Sequence, residues 1–97
     1  MIKVTKSGNT ITITGHANYS SGEDIVCASV SSIMYTSVNA ILRFDKDAIK
    51  YEDDGNKVII TIQKDDQITN ELILNMLSLF KNLESDYKNN IKIESEE

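Results

Sequence analysis

The chain has 97 residues, of which 40% are hydrophobic and 26% are charged. This length and balance predict one globular domain spanning residues 1–97, and they exclude a fibrous or disordered chain. The formal net charge is −5 and the ten basic residues are scattered. Direct nucleic-acid binding is therefore disfavoured, because phosphate contacts need clustered lysine and arginine.

Cysteine usage and the N-terminal segment indicate where the protein works. A single cysteine excludes an internal disulfide and agrees with a reducing compartment. The first six residues already alternate and carry charge, without the apolar segment of a signal peptide. The uncharged run 25–42 has the length of a membrane span, but serine, threonine and asparagine interrupt it throughout. We expect a cytosolic protein with no membrane partner, in which this run forms a buried helix.

The first half of the chain predicts a β-hairpin followed by a helix. Ile2 and Val4 alternate with polar residues, a Ser-Gly-Asn turn follows at 7–9, and Ile11 and Ile13 alternate with threonines. Such alternation around a short turn is typical of a hairpin with one apolar face. After a polar loop, a helix is predicted from near Glu23 to about residue 43.

The second half repeats this pattern. Ile49 and Tyr51 predict a third strand, 53–56 a turn, and 58–62 a fourth strand. Apolar residues at helical spacing predict a second helix over 69–88, and Ile91 and Ile93 a last short strand before the acidic tail 94–97. The order ββαββαβ predicts an α+β fold in which two helices pack on one face of a mostly antiparallel sheet.

The only histidine and the only cysteine are candidates for nucleophilic catalysis. His16 follows the second predicted strand, and Cys27 falls near the start of the first predicted helix. A helix N-terminus stabilises negative charge and thereby favours the reactive thiolate. Backbone N–H groups there, those of Cys27 and Ala28 among them, can hold an oxyanion. An imidazole folded back over the thiol would act as its general base.

Further residues could support this pair. Asp24 and Ser31 lie on the same side of the predicted helix as the thiol, at helical spacing. Asp24 could orient His16, and Ser31 could hydrogen-bond the substrate or the thiol. Gly15 and Gly22 bracket the intervening loop and are candidate hinges.

Each of these residues also has a structural interpretation. A lone cysteine in an apolar helix is more often an inert core residue, and a lone histidine at a strand end is more often a surface residue. One cysteine and one histidine fall short of a metal site, and no phosphate-binding or dinucleotide motif is present, so no metal or cofactor is expected. From the residues alone, catalysis is the more specific hypothesis, but an inert core cysteine is the more common role for such a residue.

A resemblance to a known family changes this balance. The segments 15–17 (GHA) and 24–28 (DIVCA), then Ser31 and 37–40 (SVNA), resemble the signature of the Prp family, the ribosomal-processing cysteine proteases. The resemblance extends over nearly the whole chain. It implies an α+β homodimer that removes the N-terminal extension of the bacterial large-subunit ribosomal protein L-twenty-seven. It also implies that Cys27 is the nucleophile and His16 its partner, with Asp24 and Ser31 at active-site positions.

Two alternatives remain open at this stage. The same groove in a dimeric, ribosome-associated module could hold a peptide without cleaving it. A thiol redox sensor is a third hypothesis, although the chain has no second cysteine to resolve an oxidised thiol. Dimerisation would suit the thin core of a small chain, but a monomer can bury the same apolar side of the first helix against its own sheet.

Overall fold

The computed structural model describes residues 1–15 and 25–96, and it confirms the predicted order of elements. Within these two ranges, five strands and two helices follow the order ββαββαβ. They are β1 (Ile2–Ser7), β2 (Thr10–Thr14), α1 (Ile25–Phe44), β3 (Ile49–Asp53), β4 (Lys57–Ile62), α2 (Gln67–Asp86) and β5 (Ile91–Glu96).

The five strands form one mixed sheet in the order β3-β4-β2-β1-β5. Neighbouring strands are antiparallel except for β1 and β5, which are parallel. Alternate residues of the strands are buried on one face, as Val4, Ile13 and Val58 illustrate with no exposed surface. Strand residues point alternately to the two faces, and the opposite face carries mostly polar side chains, such as Thr12 and Glu52, together with Ile59. The predicted α+β architecture is therefore confirmed.

Both helices cover the apolar face of the sheet. The α1 helix buries Val30, Met34 and Ile41 completely, and α2 buries Met76 and Phe80. All of these belong to one hydrophobic core. By length and composition α1 could cross a membrane. Its buried stripe packs into the same hydrophobic core as the sheet residues.

The boundaries of α2 differ from the prediction by two residues at each end. The helix runs from Gln67 to Asp86 rather than over 69–88. Its N-cap is Asp66, whose carboxylate accepts hydrogen bonds from the backbone N–H and the hydroxyl of Thr69, at 2.8 and 2.9 Å. An N-cap carboxylate satisfies N–H groups of the first turn and fixes where the helix begins. The prediction missed this cap and began the helix at Thr69.

The last strand is longer than predicted. It continues into the acidic tail, where Glu94 pairs with Thr5 and Glu96 with Ser7 of β1. A Lys3–Glu94 ion pair of 3.3 Å accompanies this pairing. The backbone partner supplied by β1 outweighs the low strand propensity of the acidic residues.

Candidate active site

The predicted nucleophile lies in the first turn of α1 as the structure describes that helix. Cys27 is the third residue of α1, after Ile25 and Val26. Its side chain is 1% exposed and belongs to the hydrophobic core. The site therefore combines a helix start, which favours a thiolate, with burial, which disfavours it.

One turn further along α1, Ser31 presents an unusual hydroxyl group. Its Oγ is buried, and no described residue forms a hydrogen bond with it. Ser37, in contrast, donates its hydroxyl hydrogen to the carbonyl oxygen of Ile33 at 2.8 Å, as buried helical serines commonly do. A buried hydroxyl without a partner is costly, and such groups in native proteins often have a role in function. Ser31 lies one helical turn beyond Cys27, and its role at the site stays a prediction.

Gly15, at the end of β2, is held tightly by the first residues of the chain. Its φ is +86°, a conformation that favours glycine, and a Cβ at this position would overlap the carbonyl oxygen of Met1. The structure therefore gives a local reason for glycine here that is independent of the predicted hinge.

Three of the predicted site residues lie outside the described residues. They are His16, Asp24 and Gly22, and the predicted helix start near Glu23 is also outside. Cys27, Ala28, Ser31 and Gly15 are described, and the first three share the start of α1. The pairing of the imidazole with the thiol therefore stays a prediction.

A cluster of polar groups between α1 and β3 was not predicted from the sequence. Tyr51 of β3 donates a hydrogen bond to the Asp53 carboxylate at 3.4 Å, and it interacts with Tyr35 of α1. Burial raises the pKa of Tyr51, and Tyr35 and Asp53 raise it further. The signal in the sequence was the alternation of Ile49, Tyr51 and Asp53, which places all three on the face of β3 that the helices cover.

A shallow groove lies on the other side of α1, towards α2. It has a volume of about 470 Å³. Its lining is mostly small or apolar, and comprises Ala28, Ser29, Ser32, Ile33, Leu79 and Leu83, with Asn82 and Asp86 at α2. The groove lies between the two helices, and its α1 lining begins at Ala28, the residue after Cys27.

Comparisons with known proteins identify the relatives of this chain. The profile of the family described as "Cysteine protease Prp" matches residues 1–92. The ribosomal processing cysteine protease Prp of Staphylococcus aureus is 36% identical over 83 residues, which cover 81% of this chain and 78% of that protein. A crystal structure of the S. aureus protease with a covalently linked product peptide has a TM-score of 0.80 at 26% identity, covering 98% of this chain and 97% of that one. A Streptococcus mutans protein has the same fold, with a TM-score of 0.80, 22% identity and coverage of 98% and 91%.

Proposed function

The chain belongs to the Prp family of cysteine proteases, and from this premise we propose that it removes the N-terminal extension of the bacterial large-subunit ribosomal protein L-twenty-seven. Cys27 is the nucleophile and His16 the general base. The observation that carries the proposal is the position of the chain's only cysteine in the first described turn of α1. The match of this chain to the family covers both the segment that contains Cys27 and the segment that contains His16.

In the proposed reaction, His16 takes the thiol proton as the Cys27 sulfur attacks the scissile carbonyl carbon. The tetrahedral oxyanion is stabilised by backbone N–H groups at the start of α1, with Cys27 and Ala28 as the candidates. Protonated His16 then gives its proton to the leaving amine as the C–N bond breaks. Water hydrolyses the resulting thioester and regenerates the thiol. The covalently linked product peptide in the S. aureus protease supports a covalent mechanism.

Asp24 and Ser31 have supporting roles in this proposal. Asp24 precedes the described start of α1 and would orient His16 or stabilise its protonated form. Without an imidazole between them, a carboxylate so close to a thiol would hinder ionisation. The buried Ser31 hydroxyl lacks a partner among the described residues, so it is available to the thiol or to a substrate amide.

The burial of Cys27 supports a gated mechanism. At 1% exposure, the sulfur can meet a substrate carbonyl only after neighbouring groups move. We infer that the segment bounded by Gly15 and Gly22 holds His16 away from Cys27 until a peptide binds. An experimental structure of the free enzyme tests this. An ordered segment with His16 already hydrogen-bonded to Cys27 would contradict the gate.

The cellular setting follows from the same proposal. A ribosomal-protein substrate places the enzyme in the cytosol, and its net charge of −5 suits a basic substrate. Fractionation of cells producing the tagged protein checks the location. Recovery with membranes after salt washing would contradict it.

We also propose that the protein is a homodimer, as the resemblance implies. The helical layer leaves large apolar side chains in solvent, including Ile25, Phe44 and Leu79. Exposed apolar surface of this kind is typical of protein–protein contacts. Sedimentation velocity should show a dimer that Leu79→Glu weakens and Lys81→Glu, on the same helix, leaves intact. A monomer at all concentrations would refute this proposal.

The cleavage reaction tests the central proposal. The extended ribosomal protein is incubated with wild type, Cys27→Ala, Cys27→Ser and His16→Ala, and the products are identified by mass spectrometry. We expect removal of the extension by wild type alone, with binding retained by Cys27→Ala. Cleavage by Cys27→Ala would exclude Cys27 as the nucleophile. Binding without cleavage by wild type would instead favour a non-catalytic peptide-binding module.

A further inference from the structure

A stripe of α1 residues leads from the nucleophile to the surface. Cys27, Ser31 and Tyr35 follow one another at intervals of four, so each lies one turn further along the helix and is rotated about 40° from the last. Their exposure rises in the same order: Cys27 is buried, Ser31 is intermediate and Tyr35 is 48% exposed. A helix rise of 1.5 Å per residue places Tyr35 about 12 Å from Cys27.

Strand β3 supplies the facing wall. Ile49, Tyr51 and Asp53 alternate onto the face of the sheet covered by the helices, and their exposure increases along the strand from Ile49 to Asp53. Tyr51 interacts with Tyr35 across this gap. Its hydroxyl also donates to an Asp53 carboxylate oxygen at 3.4 Å. The groups of Tyr35, Tyr51 and Asp53, termed here the Tyr-Tyr-Asp wall, therefore lie together at the exposed end of this α1 stripe.

The chemistry of this wall favours a cation. The Asp53 carboxylate is exposed and forms none of the ion pairs among the described residues. Its other oxygen accepts the Gly55 N–H at 2.9 Å, which fixes the carboxylate in place. A long 3.4 Å bond from Tyr51 leaves acceptor capacity on the second oxygen. The half-exposed ring of Tyr35 adds a face on which an ammonium or guanidinium group can rest.

We propose that the Tyr-Tyr-Asp wall is a specificity subsite that binds a lysine or arginine side chain of the substrate. Asp53 provides the charge, and Tyr35 the aromatic face. An extended peptide advances about 3.3 Å per residue, so 12 Å corresponds to three or four residues from the scissile bond. This inference rests on the proposed protease function and adds a position-specific requirement to it.

A single-lysine scan tests the subsite. The probes are peptides spanning the extension junction, with lysine or norleucine placed at each position from four before to four after the scissile bond. We expect wild type to prefer lysine over norleucine at one position three or four residues from that bond. In Asp53→Asn this preference, taken as the ratio of the two kcat/KM values, should fall about two- to fivefold, the loss expected for one exposed ion pair.

Glu52→Gln is the matched control. Glu52 neighbours Asp53, is exposed and carries the same charge, but it lies on the opposite face of the sheet. Glu52→Gln should therefore leave the preference for lysine unchanged. Tyr35→Leu should reduce the preference about twofold through loss of the aromatic face, and provides a second test if Asp53→Asn folds poorly.

Two results would overturn the subsite while leaving the protease intact. One is cleavage without any lysine preference, and the other is a preference that Asp53→Asn and Glu52→Gln change equally. Binding of the same peptides to Cys27→Ala separates the two proposals. If wild type cleaves nothing, the protease proposal fails. The subsite is then tested by binding alone. Cys27→Ala should bind the lysine peptide more tightly than the norleucine peptide, and the double variant Cys27→Ala/Asp53→Asn should lose this preference. If either result fails, the subsite is refuted.

Discussion

Replacement of Ser31 by alanine should stabilise the protein. The buried Ser31 hydroxyl has no hydrogen-bond partner among the described residues, and an unsatisfied buried group of this kind costs about 1–3 kcal/mol. Serine is also about 0.5 kcal/mol less favourable than alanine inside a helix. Loss of contacts from a single oxygen offsets only a few tenths of a kcal/mol. Ser31→Ala should therefore raise the free energy of unfolding by about 1–3 kcal/mol.

Urea denaturation measures this change, and Ser37→Ala is its control. Ser37 is also buried in α1, but its hydroxyl donates to Ile33 at 2.8 Å. Its replacement should be neutral or destabilising by up to about 1 kcal/mol. If Ser31 serves the substrate or the thiol, kcat/KM should fall about tenfold while stability rises. A loss of stability in Ser31→Ala would refute the reasoning, since it would mean that the hydroxyl is bonded in the folded protein.

Three further predictions concern the frame around the site. Gly15→Ala should destabilise the chain by about 2–4 kcal/mol, because φ is positive and the new Cβ would overlap Met1. Gly8→Ala, where φ is positive but the space is open, should cost about 1 kcal/mol. Equal losses of stability for the two variants in thermal unfolding would contradict this account. Asp66→Ala should cost about 1 kcal/mol by removing the α2 N-cap, measured as a lower urea midpoint, and an unchanged midpoint would argue against the cap. Backbone N–H groups of its turn lower the pKa of Asp54, so the carboxylate stabilises the fold fully above its ordinary pKa, and this effect disappears as pH falls through the lower pKa of the folded state. The difference in urea midpoint between wild type and Asp54→Ala should therefore vanish in acid. A difference that persists in acid would contradict this prediction.

The order of elements could be predicted because the apolar residues of each segment repeat with the spacing of either a strand or a helix, but not of both. Ile11 and Ile13 alternate as in a strand, whereas Met76 and Phe80 repeat as in a helix, and both pairs are buried as expected. The α2 start was wrong because a cap depends on a side chain outside the apolar repeat, at Asp66. The length of β5 was wrong because its partner β1 is distant in sequence.

The candidate site could be predicted only in part. Cys27 stood out as the single cysteine at a helix start, and the segments around it carried the family resemblance. The missing partner of Ser31 depends on three-dimensional packing and leaves no trace in the sequence. The contact between Tyr35 and Tyr51 likewise joins two elements whose relative position is set by the core.

The pH dependence of Cys27 alkylation tests the activated nucleophile most directly. Since the chain has one cysteine, a single iodoacetamide adduct in the intact mass reports this thiol alone. In the presence of a substrate-derived peptide, we expect the wild-type rate to titrate well below the ordinary thiol pKa of about 8.5, and the His16→Ala rate to titrate close to it. A wild-type profile at or above the ordinary value, or one that His16→Ala leaves unchanged, would contradict the account.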